Sequence, residues 1–132
     1  MKDEGPSRNR GGVANRDGDI DTRLKEYALA VVRLVDSLPR TTSAGVLGRQ
    51  LLRSATSVGA QYREARRARS DAEFVSKLEV GIQELDEAGY WCELLMGGGY
   101  GLEGELKRVS EETDELLSIL VTIVKRVKAR TT

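Results

Sequence analysis

Histidine is absent from this chain of 132 residues, and cysteine occurs once, as Cys92. These absences exclude a disulfide framework within one chain and any metal site built from several imidazole or thiolate ligands. A reducing cytoplasm suits such a composition best. Net charge is absent too: 21 basic residues balance 21 acidic ones, so any electrostatic function must come from uneven placement. The longest apolar run, LLSILVTIV, is about half of what a bilayer span needs. The opening MKDEGPSRNRGGVANRDGD lacks the apolar stretch of a signal peptide, so neither export nor a membrane segment is expected. No segment alternates with period two between turn signals, so nothing argues for a sheet.

What is present is helical periodicity. Hydrophobic residues make up 39% of the chain, enough for one ordinary core in one domain. Residues 1–19 are rich in Gly, Arg, Asp and Asn without an apolar period, which predicts a disordered N-terminal tail before a bundle over 20–130. Leu24, Ala28, Val31, Val35 and Leu38 recur at steps of three and four until Pro39, predicting a first helix over 21–38. Thr42 or Ser43 is placed to cap a second helix over 43–69, with Leu47, Leu51, Ala55, Val58, Tyr62 and Ala65 inward. Ser70 to Glu73 reads as a capping box, Ser70 accepting from the Glu73 amide and the Glu73 carboxylate reaching back to the Ser70 amide. The third helix, 71–96, buries Phe74, Leu78, Ile82, Leu85, Cys92 and Met96. The fourth, 102–129, carries Leu102, Leu106, Val109, Leu116, Leu120, Val124 and Val127 on one stripe. The expected fold is all-α, an antiparallel up-down four-helix bundle.

Several features resemble chemistry without supplying it. GYGLEG, residues 99–104, matches the dinucleotide fingerprint, but a helix precedes it where that motif requires a strand, so it reads as a helix–helix turn. Serines 54, 57 and 70 have no histidine to activate them. Glu79, Asp86 and Glu93, spaced by seven, form a stripe typical of a salt-bridged or solvated face, and an enzyme built on them is the least favoured reading. No catalytic residue, metal or cofactor is expected.

Charge placement is more informative. The second helix carries Arg49, Arg53, Arg63, Arg66, Arg67 and Arg69 against Glu64, and the third is acidic with Lys77 as its lone cation. Arg49, Arg53, Arg63 and Arg67 fall on one strip opposite the apolar face, roughly 27 Å long at the helical rise. Thr56 and Ala60 fill the gap between them. Such a strip offers planar donors to a row of phosphates. The alternative is that these arginines serve only salt bridges within or between subunits of a protein–protein scaffold. Arg66 and Arg69 point toward the core side, where helix-end carbonyls or third-helix carboxylates can take them.

Val80, Trp91 and Leu94 on the third helix, with Leu29 and Val32 on the first, lie off the interior faces; they either cover the flanks of the first and fourth helices or, as one bundle has one interior, form a subunit interface, which is the expected reading. Ser54, Ser57, Gln61 and Ala68 line a slim flank of the second helix that permits close approach of a neighbouring helix.

The run LGRQLLRSATSVGAQYREARRARSDAEFVSKLEVGIQELDEAGYWCELL resembles the four-helix-bundle proteins encoded in intervening sequences of bacterial large-subunit ribosomal RNA genes. Gln50, Leu51, Arg53, Ser54, Ser57, Val58, Ala60, Tyr62, Glu64, Ala65, Ser70, Phe74, Lys77, Glu84 and Trp91 carry the likeness as a set, and YALAVVRLVDSLP fits the family's first helix. The resemblance implies a homo-oligomeric ring, typically a pentamer, and a distant relation to the accessory variability protein of diversity-generating retroelements. That relative resembles a barrel whose basic surface engages reverse transcriptase and nucleic acid. Gln61 stands where the family usually has asparagine, and the neutral charge departs from the basic retroelement protein. The expected partners are further copies of the chain and structured RNA, or DNA, or a ribonucleoprotein or reverse transcriptase, met through Arg49, Arg53, Arg63 and Arg67.

Overall fold

The computed structural model describes residues 12–101 and 103–131. The described residues form four helices, α1 (Gly12–Asp36), α2 (Thr42–Arg66), α3 (Asp71–Gly97) and α4 (Glu103–Thr131), and contain no strand. Helix α1 begins inside the segment expected to be a tail. Extending an existing helix closes one backbone hydrogen bond for each residue added, so it can proceed without an apolar face of its own. Residues 1–11, also assigned to that tail, and Leu102 lie outside the described residues.

Each helix presents a buried row whose steps of three and four keep one face inward. On α2 the row is Ala44, Gly48, Leu51, Ala55, Val58, Tyr62 and Ala65. On α4 it is Leu106, Val109, Thr113, Leu116, Leu120, Val124 and Val127. The row on α1 is Leu24, Tyr27, Val31 and Leu34, whereas Ala28, Val35 and Leu38 are half-buried on its flank. Tyr27 takes an interior place because its hydroxyl is satisfied there. On α3 the last inward place goes to Leu95, three residues beyond Cys92, and Met96 is turned outward at 36% exposure. Val75 is inward as well, and Phe74 and Ile82 are half-buried.

Consecutive helices meet start against end. Asp21 in the first half of α1 reaches Arg63 near the end of α2 at 3.3 Å. A Cβ on Gly48, near the start of α2, would lie 2.9 Å from Leu38 Cδ1 and 3.3 Å from Val35 Cγ1. Glu64 of α2 meets Lys77 of α3 at 2.8 Å, and Asp71 at the start of α3 meets Arg130 of α4 at 3.5 Å. Among the neighbouring helices α2 and α3 pack most extensively and α1 and α4 least, and no close backbone approach crosses the diagonals among the described residues.

The caps differ from expectation by single residues. Thr41, with extended backbone, caps α2 by accepting the Ala44 amide at 3.2 Å. Ser43 is thereby left to share a hydrogen bond with the Tyr100 hydroxyl at 2.6 Å, across to the α3–α4 turn. Ser70 caps α3 as expected, accepting from the Glu73 amide at 3.0 Å. The Glu73 carboxylate, however, accepts the amide of Arg69, one residue before the cap, at 3.1 Å. Helix α2 ends at Arg66, and Arg67 and Ala68 form a tightened turn through amide bonds to Glu64 and Ala65. Glycines 99 and 101, at φ 74° and 72°, supply the left-handed turn between α3 and α4, and this turn is what the GYGLEG segment builds.

The α1–α4 seam is closed by polar groups. The Thr113 hydroxyl donates its one proton to the Val109 carbonyl at 2.7 Å, so in the buried 2.7 Å contact Tyr27 is the donor and Thr113 the acceptor. Arg23 holds Glu112 in a fork at 3.1 and 2.7 Å and Glu115 at 2.6 Å. Hydrogen bonds to Glu112 first and Glu115 second raise the guanidinium pKa further above its ordinary value.

Thr113→Val should therefore cost about 1–3 kcal/mol in chemical denaturation, the range for orphaning a buried hydroxyl. Adding Tyr27→Phe should recover part of that loss. Burial first, then Asp114 and Glu93, pushes the Cys92 thiol from 9.0 up to about 12. Burial likewise raises the Tyr27 phenol, with the Thr113 hydrogen bond opposing it. Both groups hold their protons more tightly folded than unfolded, so their contribution is complete below pH 9 and is lost as pH climbs from there toward 12. Denaturation midpoints measured across that window should fall, and Cys92 should react with thiol reagents only after unfolding.

Candidate nucleic-acid interface

Helix α2 occupies the corner between α1 and α3, so its outward side faces solvent with a neighbouring helix on each flank. All four residues of the expected strip, Arg49, Arg53, Arg63 and Arg67, are exposed. They are not equivalent. Arg53 swings toward α3, where its guanidinium meets Glu84 at 3.2 Å and Glu87 at 2.8 Å, and it also donates to Ser54 at 3.2 Å. Arg63 swings the other way, to Asp21 of α1 at 3.3 Å. Forty degrees of offset to either side of the strip's midline is enough to bring these long side chains within reach of the adjacent helices.

Arg49 and Arg67 have no ion-pair partner among the described residues. They stand eighteen positions apart, which is five full helical turns, so they point in the same direction roughly 27 Å apart. Gly45, four residues before Arg49, lets the Arg49 guanidinium lie back over the first turn: Nη1 is 3.7 Å from where a Gly45 Cβ would be. Arg67 lies one residue past the helix, in its terminal turn. The strip therefore resolves into two unpaired arginines at its ends and two paired ones between them.

Arg66 was expected near carbonyls or α3 carboxylates. It instead meets Asp21 of α1 at 3.7 Å, with its guanidinium carbon 6.0 Å from the Tyr62 ring centre. Asp21, which no periodicity singled out, thus gathers two arginines from the end of α2. Its signal was its charge at the start of a helix whose neighbour ends in arginines.

Of the expected interface residues, Leu29, Val80 and Leu94 are exposed at 46%, 37% and 36%. Val32 is half-buried. Trp91 is not fully outside as expected: it is half-buried against the core, with its indole N–H buried and without an acceptor among the described residues. Val46, 45% exposed, joins this edge, and its seven-residue spacing to Arg53 was the available clue. The slim flank of α2 is already used within the chain. A Cβ on Gly81 of α3 would lie 3.7 Å from Gln61 Cβ and 3.8 Å from Val58 Cγ1, so α3 is the helix that approaches closely there.

Carboxylates elsewhere are dispersed. Glu79 accepts from Lys128 at 3.0 Å. Asp86, Glu93 and Asp114 line a shallow concavity of about 440 Å³ between α3 and α4, with Tyr90 and Thr113. Among the described residues no group of three His, Cys, Asp or Glu side chains could hold a metal ion, and no helix is long and apolar enough to cross a membrane.

Arg53→Ala should lower stability by about 0.5–1 kcal/mol, the scale of exposed ion pairs, whereas Arg49→Ala should leave it unchanged. Paired urea titrations check this difference.

A family model described as 23S rRNA-intervening sequence protein matches residues 16–122. The chain is also similar to a solved structure from Bacteroides thetaiotaomicron, described as a protein with unknown function from the S23 ribosomal protein family. Identity to it is 33%, over 80% of this chain and 98% of that one, with a TM-score of 0.75. Comparison with curated proteins gives no match.

Proposed function

The chain belongs to the 23S rRNA-intervening sequence protein family, and from that premise we propose a non-enzymatic, cytoplasmic, homo-oligomeric protein that binds RNA through the outward face of α2. The observation that carries this reading is the pair Arg49 and Arg67, both exposed and without carboxylate partners among the described residues. Guanidinium groups in that state are available to phosphate without first breaking a protein contact. Arg53 and Arg63 join only by giving up pairs that are half-exposed and worth about 1 kcal/mol or less each. Contacts of this kind fix a backbone and read little sequence. The start-against-end packing of consecutive helices supports an up-down antiparallel bundle, and the exposed Leu29, Val80 and Leu94 support assembly of copies into a ring.

A second reading is favoured by the same salt bridges. The contacts of Arg53 to Glu84 and Glu87, and of Arg63 to Asp21, support a scaffold whose arginines stabilise the bundle and whose partner is a protein, such as a ribonucleoprotein component or a reverse transcriptase.

RNA binding measured against salt concentration separates the two. With two arginines engaged, log K should fall against log salt with a slope near about −1.4 for a single strand. Arg49→Glu with Arg67→Glu should remove binding without lowering the melting temperature. No binding by the parent at low salt, or an unchanged slope in the double variant, would overturn the RNA reading and leave the scaffold.

A further inference from the structure

The charges of α4 are segregated along its length. All of its carboxylates precede Leu116, whereas Lys125, Arg126, Lys128 and Arg130 follow Leu120 with no acid among them. Lys128 and Arg130 are tied to α3, through Glu79 at 3.0 Å and Asp71 at 3.5 Å. Lys125 and Arg126, between buried Val124 and Val127, are exposed and have no ion-pair partner among the described residues. A helix dipole accounts for cations in the last turn, where its field is concentrated, and these two stand a full turn or more before Thr131.

Consecutive helices run start against end, so α2 and α4 finish at the same end of the bundle, and they occupy opposite corners of it. Arg67 and Arg69 stand at the α2 corner, exposed, with neither guanidinium in an ion pair among the described residues. The bridge from Arg130 to Asp71 lands two residues beyond Arg69, so the two corners belong to one continuous surface. With axes of neighbouring helices about 10 Å apart, the corners are roughly 14 Å from one another. The acids of this end are largely engaged. Asp21 holds Arg63 and Arg66, Glu64 holds Lys77, and Glu73 accepts the Arg69 amide, leaving Asp19 of α1 without a partner among the described residues.

Chemistry specifies the ligand. The exposed large hydrophobics lie on α1, α3 and the early part of α2, so this end offers a folded protein no apolar anchor. A polyanion needs none, because the counterions its phosphates release drive association with dispersed cations. Resting on the RNA reading given above, we infer that the end of the bundle where α2 and α4 finish is an RNA contact, in which Arg69, Lys125 and Arg126 join Arg67 on the phosphodiester backbone. The basic strip of α2 then continues round the end of the bundle onto α4 instead of stopping at Arg67.

Lys125→Gln with Arg126→Gln, compared with Lys107→Gln with Arg108→Gln, tests this. The second pair removes the same charge from exposed positions near the start of α4 that are likewise without an ion pair among the described residues. Binding of a labelled uridine oligonucleotide is followed by fluorescence anisotropy over a series of salt concentrations, and thermal melting by circular dichroism verifies that each variant is folded. Five engaged cations, Arg49 included, give the parent a slope of log K against log salt near about −3.5, steeper than the strip alone supplies. Removing Lys125 and Arg126 should flatten that slope by about 1.4 and weaken binding on the order of tenfold in about 0.1 M salt, while the Lys107 and Arg108 pair leaves both unchanged. Arg69→Gln, in the turn outside any helix, should flatten the slope by about 0.7 and gives an independent reading. A parent that binds but keeps its slope when Lys125 and Arg126 are removed, or loses as much with Lys107 and Arg108, would overturn this site and leave the RNA reading standing. A parent that binds no RNA at low salt would overturn both.

Discussion

The close approach of α2 and α3 is the contact on which the rest of the molecule depends. Small residues line it: Ser54 and Ala88 are fully buried, and a Cβ on Gly81 would meet Gln61 Cβ at 3.7 Å and Val58 Cγ1 at 3.8 Å, so nothing larger than a methyl group fits at that position without displacing α2. Packed backbones at that distance bring long side chains from both helices into reach of one another, so Arg53 meets Glu84 and Glu87 and Lys77 meets Glu64. The opposite signs of α2 and α3 are thus partly spent inside the hairpin. Arg49 and Arg67 of the expected strip take no part in these pairs, and they define the candidate site. Substituting a larger residue at position 81 would disturb the site through the hairpin even though the site is a helix face away.

Much of the architecture was legible because buried rows of period 3.5 leave a strong trace. Helix α2 kept nearly all its expected interior residues, and every described residue expected inward on α4 is inward. Where legibility failed, local chemistry overrode the pattern. Tyr27 has a polar atom and did not count toward an apolar stripe, yet Thr113 across the seam satisfies it. Thr41 caps α2 in place of Thr42 or Ser43, and Ser43 bonds instead to Tyr100, a partner 57 residues away that no local signal reveals. The start of α1 at Gly12, inside the expected tail, accords with the ease of propagating a helix already formed.

The arginine strip was legible as a row of charges but not as a set of roles. Helical angles place Arg53 and Arg63 close to the same direction as Arg49 and Arg67, and an arginine side chain is long enough to cross the difference. Which of them stays unpaired depends on Asp21, Glu84 and Glu87, residues on other helices whose positions require the tertiary structure. The apolar edges show the same limit: Leu29, Val80 and Leu94 were correctly placed outside, whereas Trp91 found partial cover against its own core.

The hydroxyl contact between Ser43 and Tyr100 has a mechanical meaning beyond capping. It joins the start of α2 to the α3–α4 turn at one end of the bundle, while the opposite end holds the α2–α3 turn and the ion pairs of Lys77 with Glu64 and Arg130 with Asp71. The two ends are thus fastened by different forces, a neutral hydrogen bond at one and exposed charges at the other. Salt screens the second and spares the first, so rising ionic strength loosens the bundle first at the Arg67 end and leaves the Arg49 end as it was.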